Sequence, residues 1–176
     1  MDDLVTERLI LRPLTPRQAR RILDGDPGHD GPWASDYPTD GDLAGARRYL
    51  RVCAQDGDPQ PFGAYEIRLR EDGRAIGGAG FHAAPDPSGT VTVGYGLVPA
   101  ARGRGYASEA LRALLELARA RGVRVVGDTD LDNTASQHVM TAAGMRPTGR
   151  DQRLAYYESP WPPDDPGASA PSTHAG

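Results

Sequence analysis

The chain of 176 residues carries 20 basic side chains, all of them arginine, against 24 carboxylates, for a formal charge of -4. Its length suits one compact domain, no apolar run approaches the roughly 20 residues of a membrane span, and the charge balance argues against a broad nucleic-acid surface. Without lysine there is no lysine-based catalysis, and the single cysteine, Cys53, can form no internal disulfide and no zinc cage. No metal is therefore expected. Asp2 and Asp3 stand where a secretory signal needs positive charge, so the expected setting is cytoplasmic and away from membranes.

In chain order, residues 6–14 read as a first strand interrupted by Arg8 and Arg12 and ended at Pro13. Thr15 as N-cap and Pro16 in the first turn open a short helix to Leu23, which Asp24 and Gly25 stop. Six aspartates (Asp24, Asp26, Asp30, Asp36, Asp40 and Asp42) and no arginine fill the next stretch. This acidic loop leads to a helix over 43–54, spaced through Leu43, Ala46, Leu50 and Cys53. Residues 62–69 and 75–81 flank a Glu71-Asp72-Gly73 turn, and a turn over 86–89 leads into 90–98, which makes a three-strand meander. Residues 106–121 place Ala107, Ala110, Leu111, Leu114, Leu115 and Ala118 on one apolar face, with Gly122 ending the helix. A buried strand over 123–129, a helix over 133–143 closed by Gly144 and a strand over 153–158 complete the order. The fold class is mixed α/β with helices on both faces of a mixed sheet, as one domain over 1–158. A Pro-rich tail over 159–176 is expected to be disordered.

Chemistry concentrates where the strand VGYGLV breaks at Pro99 and Arg102-Gly103-Arg104-Gly105-Tyr106-Ala107 enters the long helix. Gly103 and Gly105 accept backbone conformations that other residues resist, so successive N–H groups can line one concavity and the helix dipole adds positive potential. A diphosphate suits such a site, with Arg102 and Arg104 as charged donors. An isolated G-x-G of this kind is more often an ordinary strand-to-helix turn.

Context changes that balance. R-G-R-G-Y-A resembles the R/Q-x-x-G-x-G/A acetyl-CoA motif of the GNAT N-acetyltransferases, matching at Arg102, Gly105 and Ala107. TERLILRPL, GGAGFHAAPDPSGTVTVGYGL and DNTASQHVMTAAGMR resemble the RimJ/RimL branch of ribosomal-protein acetyltransferases, so the likeness covers nearly the whole core. The resemblance implies a mostly antiparallel mixed sheet with a splayed parallel strand pair. It further implies that acetyl-CoA is the acyl donor, with the diphosphate at the turn, pantetheine on backbone groups near Leu97 and Val98, and Asn133 touching the cofactor. Arg102, Gly103, Arg104, Gly105, Tyr106 and Ala107 form its expected cradle.

Acetyl transfer needs a neutral amine, oxyanion donors and a proton for the departing thiolate. Ser136, from the N-x-x-S element Asn133 to Ser136, is the expected acid, since Met140 stands where many relatives carry a tyrosine. Both residues also suit a helix cap. The branch's usual glutamate two residues before Gly-Tyr is Thr92, which cannot serve as a base. His82 is the expected replacement, with Asp128, Asp130 and Glu66 as weaker candidates, and Tyr157 able either to reach the cleft or to pack in the core. Trp33 and Tyr37 in the acidic loop offer flat surfaces for a cationic acceptor, although its aspartates equally serve turns. The expected function is acetyl-CoA-dependent transfer to a primary amine of a small molecule or protein N-terminus, with a second copy of the chain as a further partner. The alternative is an acyl-CoA-binding sensor of low turnover.

Overall fold

The computed structural model describes residues 1–161; the rest of the expected tail lies outside the described residues. The first strand is split. Thr6 N–H donates to the Leu9 carbonyl and Leu9 N–H to Thr6 Oγ1, turning residues 6–8 into the link between β1 (Leu4–Val5) and β2 (Leu9–Pro13). α1 (Pro16–Asp24) starts at a reciprocal capping box, with Gln18 N–H donating to Thr15 Oγ1 and Thr15 N–H to Gln18 Oε1. The same device at Thr39 and Asp42 starts α2 (Asp40–Asp56) three residues before its apolar spacing begins at Leu43. The meander follows as β3 (Ala64–Leu69), β4 (Ala75–Phe81) and β5 (Thr90–Leu97). A 3-10 turn at Pro99–Ala101 precedes α3 (Tyr106–Ala120), then β6 (Arg124–Asp130), α4 (Thr134–Ala142), β7 (Arg146–Arg150) and β8 (Leu154–Glu158).

The eight strands form one sheet in the order β1-β2-β3-β4-β5-β6-β8-β7. Every neighbouring pair is antiparallel except β5 and β6. One core gathers Leu9, Leu11, Ile67, Val93, Leu111, Leu114 and Val125, with Met140 of α4. A second joins Leu14, Ala19, Ile22, Ala46 and Tyr49 of α1 and α2. Side chains alternate along β5: Val93 lies against Gly127 beside Met140, whereas Gly94 meets His82 and lines a cleft with α2. Helices α3 and α4 therefore cover one face, and α1 and α2 the other.

The parallel ladder is short. It pairs Thr90 with Arg124, Val91 with Val125 and Thr92 with Val126, and goes no further. Beyond it β5 pairs only with β4, and β6 only with β8. The start of the expected tail is docked: Ser159 N–H donates to the Val125 carbonyl, Val125 N–H donates to Ser159 Oγ, and Trp161 Nε1 donates to the Val123 carbonyl. Among the described residues no helix is long and apolar enough to cross a membrane.

Candidate functional site

Hydrogen-bond alternation decides which backbone groups face the splay. His82 N–H donates to the Thr92 carbonyl and Val98 N–H to the Ile76 carbonyl, so the even residues of β5 are committed to β4. Val93, Tyr95 and Leu97 direct their amides and carbonyls toward β6. At Tyr95 and Leu97 the β6 ladder has ended, and the Leu97 carbonyl is instead taken by Arg102 Nε at 3.2 Å. Leu97 thus faces the gap. Val98 does not, because its N–H is held by Ile76 and its carbonyl accepts the Ala101 N–H; Tyr95 shares the gap-facing side with Leu97.

At the mouth of the gap, Gly103 and Gly105 hold φ of 77° and 81°. A Cβ on Gly103 would meet nothing within 4 Å, so the concavity is open. The first N–H groups of a helix have no partner within it, and those of Tyr106 and Ala107 and the loop amides of Gly103, Arg104 and Gly105 make no other backbone hydrogen bond among the described residues. The nest lies at the α3 N-terminus, where the helix dipole is positive. These residues fit a diphosphate.

On the α1/α2 face a cleft of about 280 Å³ opens over β4 and β5, with a floor of Gly78, Gly80, Gly94 and Gly96 and the intervening Tyr95 backbone, and walls that include Tyr37, Asp42, Arg48, Tyr49 and His82. A Cβ on Gly94 would stand 3.0 Å from His82 Nε2, and one on Gly78 would stand 2.8 Å from Asp42 Oδ1, whereas one on Gly96 would meet nothing within 4 Å. The open part of the floor is therefore at Gly96. Phe81 pairs with Val93, which makes His82 the cross-strand neighbour of Thr92. Its imidazole occupies the side of the sheet where a longer residue 92 would project. Burial, then the Arg48 charge, lower the His82 pKa below its ordinary 6.5 against an opposing pull from Asp128. Burial and Arg48 both favour the neutral ring.

Across the splay, the Tyr95 hydroxyl donates to the Ser136 carbonyl at 3.1 Å and lies 2.7 Å from Ser136 Oγ. Burial raises the Tyr95 pKa, so the phenol keeps its proton. Asn133 caps α4, its Oδ1 accepting the Ser136 N–H at 3.0 Å; the capping role is realised, and it holds Ser136 at the gap.

Several expected site residues do other work. Tyr37 is buried and donates to Glu66 Oε2 at 2.8 Å, while Arg68 Nε holds Glu66 Oε1 at 2.6 Å. Glu66 is thus not a free base. Tyr37 still lines the cleft, but Trp33 packs edge-on behind it at 5.1 Å and does not. Tyr157 belongs to the core. Asp128 and Asp130 are exposed on β6, and Asp130 opens onto a separate surface depression with Asn133. Arg104 is solvent-exposed, its carbonyl accepting from Arg8 Nη1 at 2.8 Å. Arg48 of the cleft and Tyr95 at the gap have no signal of their own in the sequence beyond the Gly-Tyr-Gly pattern, and Asp42 is expected only as one of the acidic-loop carboxylates.

An acetyltransferase (GNAT) domain model matches residues 8–146. The chain belongs to the GNAT acetyltransferase family. An acetyltransferase from Agrobacterium tumefaciens str. C58 is 26% identical, with a TM-score of 0.63 over 90% of this chain and 94% of its own. A GNAT-family acetyltransferase from Bordetella pertussis is 26% identical, with a TM-score of 0.62 over 90% of this chain and 99% of its own. The RimL ribosomal L7/L12 alpha-N-protein acetyltransferase in complex with coenzyme A is 18% identical, with a TM-score of 0.63 over 89% and 97%, and shares the fold. No curated protein matches the chain. The splay of β5 and β6 and the loop before α3 both lie inside the matched GNAT region. Among the described residues no group of three or more His, Cys, Asp or Glu is arranged to hold a metal ion.

Proposed function

We propose that this acetyltransferase is an acetyl-CoA-dependent N-acetyltransferase that acylates a primary amine by direct attack in a ternary complex. The observation that carries the reading is the end of the β5–β6 ladder at Thr92 and Val126. It leaves unpaired backbone groups next to an open amide nest on one face and a glycine-floored cleft on the other. Acetyl-CoA supplies a thioester carbonyl open to nucleophiles. The Tyr95 and Leu97 amides, fixed in β5, are donors for oxygen that becomes negative during transfer, and fixed dipoles do this without reorganisation.

The acceptor enters over Gly96. An alkyl ammonium with pKa near ~10 costs roughly 4 kcal/mol to deprotonate at pH 7, and neutral His82, a wall of the cleft, takes that proton. Ser136 Oγ delivers a proton to the departing sulfur and regains one from solvent, while the Tyr95 hydroxyl beside it fixes its orientation. A cleft of about 280 Å³ admits a small amine or a single chain-terminal residue rather than a folded surface. Either acceptor remains within the proposal.

Thr92 in the glutamate position supports a second reading, an acyl-CoA sensor of low turnover. Thiol release from acetyl-CoA with a panel of small amines and short peptides separates them. Amine-dependent release supports the enzyme; tight coenzyme A binding with no release above background supports the sensor.

A further inference from the structure

Arg8 ties together three parts of the phosphate loop that are far away in sequence. Its Nη1 donates to the Arg104 carbonyl at 2.8 Å, its Nε pairs with Glu109 Oε1 at 2.8 Å, and its backbone N–H donates to Glu109 Oε2 at 2.9 Å. The guanidinium lies 4.5 Å above the centre of the Tyr106 ring. Its Nη2 would be 3.3 Å from a Cβ on Gly105. Thr6 Oγ1 adds a hydrogen bond to Glu109 Oε2. The segment carrying Arg8 is braced in turn, because Arg70 donates through Nη1 to the carbonyls of Thr6 and Glu7 and through its N–H to that of Arg8.

The charge logic is specific to an anion site. Glu109 lies in the first turn of α3 and is 9% exposed. Such a carboxylate suits the helix dipole in an empty site but repels a diphosphate bound one turn above it. Burial alone would raise the Glu109 pKa; the bonds from Thr6 and Arg8 overcome this and hold it below the ordinary value, so the group stays charged. A cation must therefore offset it. Arg8 does so, and the same side chain fixes the carbonyl of the residue between the two left-handed glycines, which sets the direction of the neighbouring amides.

We propose that Arg8 is a positioning residue for the diphosphate of the acyl donor: it neutralises Glu109 and locks the Gly103-Arg104-Gly105 turn with its amides facing outward. This rests on the acetyl-CoA reading above. The test is calorimetric binding of coenzyme A and of pantetheine, which lacks the diphosphate, to the wild type, Arg8→Ala, Arg8→Lys and Glu109→Gln. Arg8→Ala is expected to weaken coenzyme A about tenfold or more, the loss of one or two charge-assisted hydrogen bonds, and to leave pantetheine unchanged. Arg8→Lys, which can serve Glu109 or the Arg104 carbonyl but not both, is expected to fall between.

Equal coenzyme A affinity in the wild type and Arg8→Ala overturns the proposal, as does an equal loss for both ligands, which marks a purely structural role. If Arg8→Ala does not fold, the ratio of coenzyme A to pantetheine affinity in Arg8→Lys and Glu109→Gln decides, and an unchanged ratio in both overturns it. A wild type that binds no coenzyme A sinks the donor reading itself, a result distinct from any difference between variants.

Discussion

His82 takes its place because Gly94 has no side chain: an added methyl there would press on Nε2 at 3.0 Å. If His82 is the base, His82→Gln should lower kcat about a hundredfold and remove the acidic limb of the kcat/KM profile. Since burial and Arg48 lower its pKa, that limb in the wild type should fall below pH 6.5, activity being lost as pH drops and the ring gains its proton. A limb centred above 6.5, or one that survives the substitution, means that another group takes the proton. Gly105 gives an independent check on the nest. Its φ of 81° costs a residue with a Cβ about 1–2 kcal/mol, so Gly105→Ala should weaken coenzyme A severalfold by calorimetry and lower Tm by a few degrees. Unchanged affinity would remove the loop from the site.

At the scale of elements, β3 supports the cleft wall through buried charge. Arg68 is 1% exposed and Glu66 5%, with Tyr37 held on the far oxygen of Glu66. Arg68→Met strands a carboxylate in the interior and should cost about 3–5 kcal/mol in urea denaturation, while Arg68→Met combined with Glu66→Leu should recover much of it. A single substitution costing under about 1 kcal/mol would mean that water reaches Glu66.

The sequence made α1 and α3 legible because their caps and apolar faces are local. It made the nest legible because both of its glycines, Gly103 and Gly105, fall within one short run directly before the helix. It did not reveal β7, whose RPTGR is exposed throughout and has no alternation to read; that strand exists only because β8 offers it an edge. The buried Arg68 could not be read either, since an arginine between strand residues looks solvent-facing until its Nε is seen on Glu66 and its Nη1 on the Gly73 carbonyl. Tyr95 and Ser136 are 41 residues apart, and no local pattern brings them together. The same holds for Arg8 and Glu109.

At the scale of the whole molecule, the matched family region ends at residue 146, yet the fold continues to Trp161. Ser159 bridges both backbone groups of Val125 and is fully buried, and Arg119 lies 5.7 Å over the Trp161 ring. This clasp joins α3 to β6, the two elements that border the donor side of the gap. Trp161→Ala should therefore destabilise the chain by about 1–3 kcal/mol, measured by thermal unfolding. No change would mean that the tryptophan merely rests on the surface.

The short parallel ladder has a further consequence. Two half-sheets are stitched by only three residue pairs, Thr90–Arg124, Val91–Val125 and Thr92–Val126, with a seam of unmatched peptide groups beyond. An extended amide-bearing arm laid in that seam does the work of a missing strand, so a bound donor becomes part of the scaffold that holds it. Amide exchange at Tyr95 and Leu97 should then slow on saturation with coenzyme A, and the unfolding free energy should grow by about 2.7 kcal/mol at a hundredfold excess over Kd, with the melting temperature rising as ligand concentration does.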